Sequence, residues 1–115
     1  MKLVDKSQKI SLDELKKIAS KMYGELVKAV VDVEKKVMVI SGKMHADEEK
    51  FLLEHGSQQK NLWGINIYPH KYPNDWIEID SIINIRPPLG NFSRSVEDKT
   101  LAVRIIKTVE SLIKI

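Results

Sequence analysis

Cysteine is absent, which removes disulfides, thiolate nucleophiles and cysteine-ligated zinc from the chemistry open to this chain. Long apolar runs are missing too. Lys2, Asp5, Lys6 and Lys9 break up the first ten residues, so neither a signal-peptide core nor a bilayer span is expected. That excludes a membrane partner and leaves the cytoplasm as the expected address. Charge of one sign is also lacking. The 19 basic residues are interspersed with 16 acidic ones for a net +3, and no block of five or six like charges occurs, so support for nucleic-acid binding is weak. Arginine is scarce, with only Arg86, Arg94 and Arg104 in a lysine-dominated set. Because arginine alone offers a planar fork for carboxylate or phosphate, those few positions merit scrutiny.

What is present is ordinary for a globular protein. The 115 residues are 43% hydrophobic and 30% charged, which predicts a single domain over residues 1–115. Ser11 and Glu14 form a capping-box pattern, with Ile10 and Leu15 as a hydrophobic staple. Leu12, Leu15, Ile18, Ala19 and Met22 then recur at helical spacing, predicting a helix from Leu12 to about Tyr23, ended by Gly24. Leu26 to Glu34 and Val37 to Ser41 alternate as two strands of a hairpin turning at Lys35-Lys36. Asp47-Glu48-Glu49 opens a short helix that ends at Gly56. Leu62 to Tyr68 reads as a third strand and Trp76 to Arg86 as a fourth, the longest. The last helix carries Leu101, Ile105, Val109 and Leu112, with Asp98 as its cap.

The order α-β-β-α-β-β-α predicts an α+β fold: a four-stranded antiparallel sheet with two helices on one face and a short middle helix. The expected core includes Leu15, Val31, Ile65, Ile79, Ile83 and Ile105. Side chains two apart on a strand share a face. The fourth strand would therefore turn Ile77, Ile79, Ile83 and Ile85 inward and Glu78, Asp80, Asn84 and Arg86 outward, beside Asn66 of the third. Asparagine is disfavoured in strands, and two of them on this face point to a site rather than to ordinary surface polarity.

The loop Gly90-Asn91-Phe92-Ser93-Arg94 leads into a helix start, where backbone amides and arginine suit an anion. It lacks the glycine-lysine-serine core of a phosphate-binding P-loop. Arg86 and Arg94 are expected to converge with Asp80 and Asn84 in one pocket bordered by Gly90 and Asn91. His45, near Asp47 and Glu48, is a candidate acid or base, although no second histidine stands at metal-ligand spacing. His55 and His70 adjoin turns and are expected to face water. Trp63 reads as core, and Trp76 as a partly exposed stacking surface.

The segments His45-Ala46-Asp47-Glu48-Glu49, Leu62-Trp63-Gly64-Ile65-Asn66-Ile67-Tyr68-Pro69 and Ile83-Asn84-Ile85-Arg86-Pro87, with Gly90-Asn91, Ser93-Arg94 and Val96-Glu97-Asp98, resemble a family of small prokaryotic proteins catalogued as a domain of unknown function. The resemblance spans nearly the whole chain and implies no activity. Phe92 departs from the polar or basic residue expected there, so the loop is not uniformly basic.

The leading functional reading is a domain binding a small anionic or phosphate-bearing ligand on the sheet face, through Asn66, Asn84, Arg86, Gly90, Asn91 and Arg94. An alternative is a small hydrolase or nuclease-like enzyme with Asp80 or His45 as general base, assisted by a divalent metal. A further alternative is a non-catalytic interaction module that forms a homodimer through a strand edge or through Tyr72 and Trp76. The sequence itself specifies no cofactor.

Overall fold

The computed structural model describes residues 1–115. The elements are β1 (Lys2–Val4), β2 (Ile10–Ser11), α1 (Leu12–Met22), β3 (Val27–Asp32), β4 (Val37–Ile40), α2 (His45–Glu54), β5 (Leu62–Ile67), β6 (Ile77–Glu78), α3 (Lys99–Ser111) and β7 (Ile113–Lys114). The α+β class is as expected, but the sheet has five strands instead of four, in the order β1-β4-β3-β5-β6. All its neighbours are antiparallel. The additional strand is β1, which pairs with β4. A separate parallel pair, β2 with β7, ties the start of α1 to the end of α3.

Local chemistry sets the boundaries. Ser11 caps α1 by accepting from the Glu14 amide at 3.1 Å, while the Glu14 carboxylate reaches Lys2 instead of closing the box. Asp98 caps α3 by accepting from the amides of Thr100 and Leu101. At the hairpin turn, buried Asp32 accepts from the Glu34 and Lys35 amides and from the Ser57 hydroxyl. Turn and interior acceptor are thus one residue.

The sheet is covered on both sides. On the first face, Val27, Ala29 and Val31 of β3 and Trp63, Ile65 and Ile67 of β5 pack in one cluster with residues of α1 and α3, among them Leu15 and Ile105. On the second face, Val30, Val39 and Leu62 pack with Leu52 of α2 in a cluster of four buried residues. The middle helix therefore lies over part of the second sheet face, the one expected to carry the polar residues. Burying these aliphatic side chains supplies the main drive for the layered arrangement.

The expected long strand from Trp76 to Arg86 does not form. Only Asn66 with Glu78 and Ile67 with Ile77 are paired, after which the chain leaves the sheet. Ser81 packs over Gly64, where an added Cβ would stand 2.5 Å from the Ser81 Cβ. The Ser81 hydroxyl then accepts from the Ile83 amide and starts the 3₁₀ turn Ile82–Asn84. Asn84 comes back to the β5 edge through its side chain: Oδ1 accepts from the Gly64 amide at 2.8 Å, and Nδ2 donates to the Gly64 carbonyl at 3.0 Å. One side-chain amide does what a neighbouring strand's peptide would do.

Leaving the sheet breaks the alternation on which the sequence expectation rested. Ile79 packs against the larger cluster and Ile83 against the smaller, on opposite sides of the sheet. Ile85 is exposed, whereas Asn84 and Arg86 are buried. Trp76 is likewise no exposed stacking surface. It is buried, with Tyr72 edge-on at 5.0 Å.

Replacing Asn84 by Ala would leave the Gly64 amide and carbonyl and the Arg94 carbonyl without their side-chain partner. At about 1 to 3 kcal/mol for each stranded buried group, partly relieved by water, the expected loss of stability is roughly 3 kcal/mol. Chemical denaturation measures it. A change below about 1 kcal/mol would mean that the amide pairing carries little of the fold.

Candidate functional site

Toward the end of β5 the second sheet face is not covered by the apolar cluster, and a polar platform replaces it. Strand register puts Lys28, Asn66 and Glu78 side by side on β3, β5 and β6. Asn66 is fixed by its Nδ2, which donates to Glu78 Oε1 at 3.0 Å and more weakly to the Asp80 carbonyl at 3.5 Å. Those two acceptors set the orientation of the amide. Its Oδ1 is buried and accepts no hydrogen bond. The Tyr68 hydroxyl also donates to Glu78 Oε1, at 3.1 Å. Asp80 and Arg94 form an ion pair at 2.8 Å that is open to solvent.

His45 is the first residue of α2, a helix that begins without a side-chain cap. Its Nε2 lies 2.8 Å from the Ile65 carbonyl. A carbonyl can only accept, so Nε2 carries the proton, and in the neutral ring Nδ1 holds the free lone pair. Burial pushes the imidazole pKa down, an effect opposed by the Ile65 carbonyl, reinforced by Lys28 and opposed again by Asp80 and by the adjacent Asn66 side chain. The Asn66 oxygen thus favours a charged ring without making a regular hydrogen bond to the neutral one.

One turn along the inner face of α2 lies Glu48, fully buried. Its Oε2 accepts from the Gly42 amide at 3.0 Å, and Oε1 has no partner. The carboxyl packs against Gly42 so closely that no side chain fits there. Burial pushes its pKa up to about 9, against the smaller opposing effects of the Gly42 amide and Lys28. At neutral pH Glu48 is therefore a protonated acid and His45 an unprotonated base, with the Lys28 charge acting on both. Groups whose environments drive their pKa values apart are a mark of acid-base sites.

Of the residues singled out from the sequence, His45, Asn66, Asp80 and Arg94 belong to this platform. Asn84, Arg86, Gly90 and Asn91 do not. Arg86 pairs with Glu49 at 3.0 Å, donates to the Gln59 carbonyl at 2.9 Å and stacks over the Trp63 ring at 4.7 Å. Burial lowers its pKa, and the Glu49 charge counters that. Asn91 donates to the carbonyls of Asn84, Ser93 and Ser95 and accepts from the Glu97 amide. Gly90, at φ 77°, closes the turn Pro87–Leu89 in the left-handed region that glycine tolerates best. The two arginines thus enter separate ion pairs, and the expected single pocket does not form.

Lys28 was not singled out from the sequence, and Glu48 was weighed only beside His45 and Asp47, with its acid assigned to the helix start. Alternation placed Lys28 on a polar strand face but not beside Asn66, which takes the cross-strand register to see. Glu48 reads as an ordinary acid of a helix first turn until its position one turn beyond His45 is set against the sheet. His55 and His70 are exposed as expected. No group of three or more histidine or acidic side chains is arranged to hold a metal ion.

Fold and platform together describe an α+β domain whose polar sheet face ends at a helix amino terminus. Residues 3–112 match the family described as Protein of unknown function (DUF5674), and the chain belongs to that family. No curated protein and no solved structure matches it. No helix is long and apolar enough to cross a membrane.

The buried acid has a measurable consequence. Folded Glu48 holds its proton up to about pH 9, whereas the free carboxyl ionises near 4.5. The folded state therefore binds the extra proton between these values, and stability falls as pH rises through that window. At pH 7 the penalty is roughly 3 kcal/mol relative to pH 4.5. Glu48→Gln, which keeps the shape and the acceptor for Gly42, should be more stable than the parent at pH 7 to 8 and flatten this alkaline slope. Urea denaturation across pH checks it. A less stable Gln variant with the parent's slope would mean that the carboxyl is ionised and paired.

Proposed function

We propose that the platform binds a small anionic ligand, carrying phosphate or carboxylate, seated over Asn66 between Lys28, His45 and Arg94. The observation that carries this reading is the state of Lys28. It is half-buried, yet the four ion pairs of the chain involve Lys2, Arg86, Arg94 and Arg104, which leaves Lys28 without a carboxylate within reach. Its ammonium lies 5.0 Å from the centroid of the Tyr23 ring, which steadies the charge without cancelling it. The nearest titratable neighbours on α2, His45 and Glu48, are both held neutral. Glu78 is two strands away, about 10 Å at ordinary strand spacing. A partly desolvated cation without a counter-ion next to an uncapped helix start favours an incoming anion.

An anion in that position would stabilise imidazolium and raise the His45 pKa. The experiment is an NMR titration of the His45 ring with inorganic phosphate, pyrophosphate, citrate and a nucleoside monophosphate. At saturation at least one of these should shift the His45 titration upward, and Lys28→Gln should abolish the shift. Phosphates of nucleic acid present the same chemistry, and a short oligonucleotide extends the series. If every probe leaves the His45 titration unmoved, the anion reading fails.

A second reading, a hydrolase with His45 as general base, is favoured by one specific observation. The Ile65 carbonyl holds the Nε2 proton, leaving Nδ1 as an unprotonated base at neutral pH. Asp80 is less available for that role because Arg94 holds its carboxylate.

A further inference from the structure

The segment from Ser81 to Phe92 is inverted in polarity. Its buried residues are polar: Ser81, Asn84, Arg86 and Asn91 are each at most 9% exposed. Apart from Ile83, which packs against the smaller cluster, its large apolar residues point the other way, with Ile82 70%, Ile85 42%, Leu89 52% and Phe92 66% exposed. Hydrogen bonding makes this arrangement rigid. Arg86 and Asn91 pair their backbones, the Asn91 side chain ties four backbone groups together, and Asn84 fastens the whole to Gly64. The only charged side chain between Ile82 and Phe92 is Arg86, which is turned inward onto Glu49. A preorganised, uncharged, apolar surface in a chain with 30% charged residues is the signature of a contact surface.

A cleft of about 400 Å³ adjoins it, walled by Leu89 and Gly90 and lined by Trp63, Val96 and Leu101, with Lys60 and Asp98 among its polar residues. Leu89 and Gly90 belong to both the loop and the cleft wall, so exposed apolar side chains and a hollow adjoin, as a two-fold contact in which each copy offers both halves requires. The polar residues carry one charge of each sign, so Lys60 of one copy can meet Asp98 of the other. The flanking Arg94, Glu97, Asp98 and Lys99 are balanced in sign, which gives an anionic bilayer or nucleic acid no net attraction to this face.

We propose that the Ile82–Phe92 loop is a self-association surface, on which two copies of the chain dock about a two-fold axis with Phe92 of each entering the other's Trp63-floored cleft. The proposal does not depend on ligand binding at the platform, with which this surface shares Arg94 at its border. The test is sedimentation equilibrium of the full chain from about 1 to about 100 μM, the range in which a standard interface of modest affinity assembles. The parent should sediment at twice the chain mass at the upper end. Phe92→Lys and Leu89→Lys should each weaken the dimer by at least about tenfold, with an unchanged circular dichroism spectrum, and Phe92→Tyr should retain it. Three results would overturn the proposal. They are a parent that stays monomeric throughout, a dimer that survives Phe92→Lys combined with Leu89→Lys, and a monomer that binds phosphatidylcholine or phosphatidylserine vesicles through Phe92, which would assign the loop to lipid.

Discussion

Two hydrogen bonds between the Asn84 side-chain amide and the Gly64 backbone decide the path of the chain where it leaves the sheet after β6. A central strand at the edge of its pairing must find partners for its outward amide and carbonyl. Here β6 supplies them only for the far end of β5, and in the middle of the strand a side chain takes over. Because a side chain can do this from outside the sheet plane, the backbone from Asp80 onward is free to leave. Gly64 is the other half of the device, since only a bare Cα lets Ser81 pack over it. From this one joint follow the position of Asp80, the docking of the Arg94 carbonyl on Asn84, and the outward turn of Ile82 and Ile85.

The electrostatics of the second face obey a related economy. α2 presents His45, Glu48 and Leu52 to the sheet, one turn apart each. Burial opposes charge on either titratable group, so one gives up its proton readily and the other keeps it. Lys28 is then left without an ion-pair partner, and the Asp80 carboxylate is held by Arg94. The Arg86–Glu49 pair, by contrast, is closed: side chains only 10% and 14% exposed, with the Gln59 carbonyl and the Trp63 indole against the guanidinium. An arginine committed in this way is structural, because taking away either partner leaves the other charge buried. The contrast between the closed pair and the open Lys28 separates the scaffold of this face from its proposed binding platform.

Much of the fold was legible in the sequence. Ser11 and Asp98 mark helix starts because the capping signal is local, and the β3–β4 hairpin and α2 follow from alternation and end charges. The Ile77 to Ile85 stretch was not legible, for a physical reason. An alternating isoleucine pattern reports period two only if the backbone stays extended, and Ser81 with Asn84 redirects it through contacts to Gly64, 17 and 20 residues away in sequence. The same misreading split the candidate site. Asn66, Asp80, His45 and Arg94 come together on the platform. Asn84, Arg86 and Asn91 look equally functional in one dimension, but their hydrogen bonds are spent on the protein's own backbone. Family membership agrees with the resemblance read from the same segments.

The claim on which this account rests is that a side chain, not a strand, completes the β5 edge. The most direct measurement is the scalar coupling transmitted through a hydrogen bond, read by NMR from the Gly64 amide nitrogen to its acceptor carbon. The account predicts a correlation to the side-chain carbonyl carbon of Asn84. A correlation from Gly64 to a backbone carbonyl of residues 80–84 would contradict it, because the chain would then continue as the regular fourth strand that its isoleucine pattern suggests.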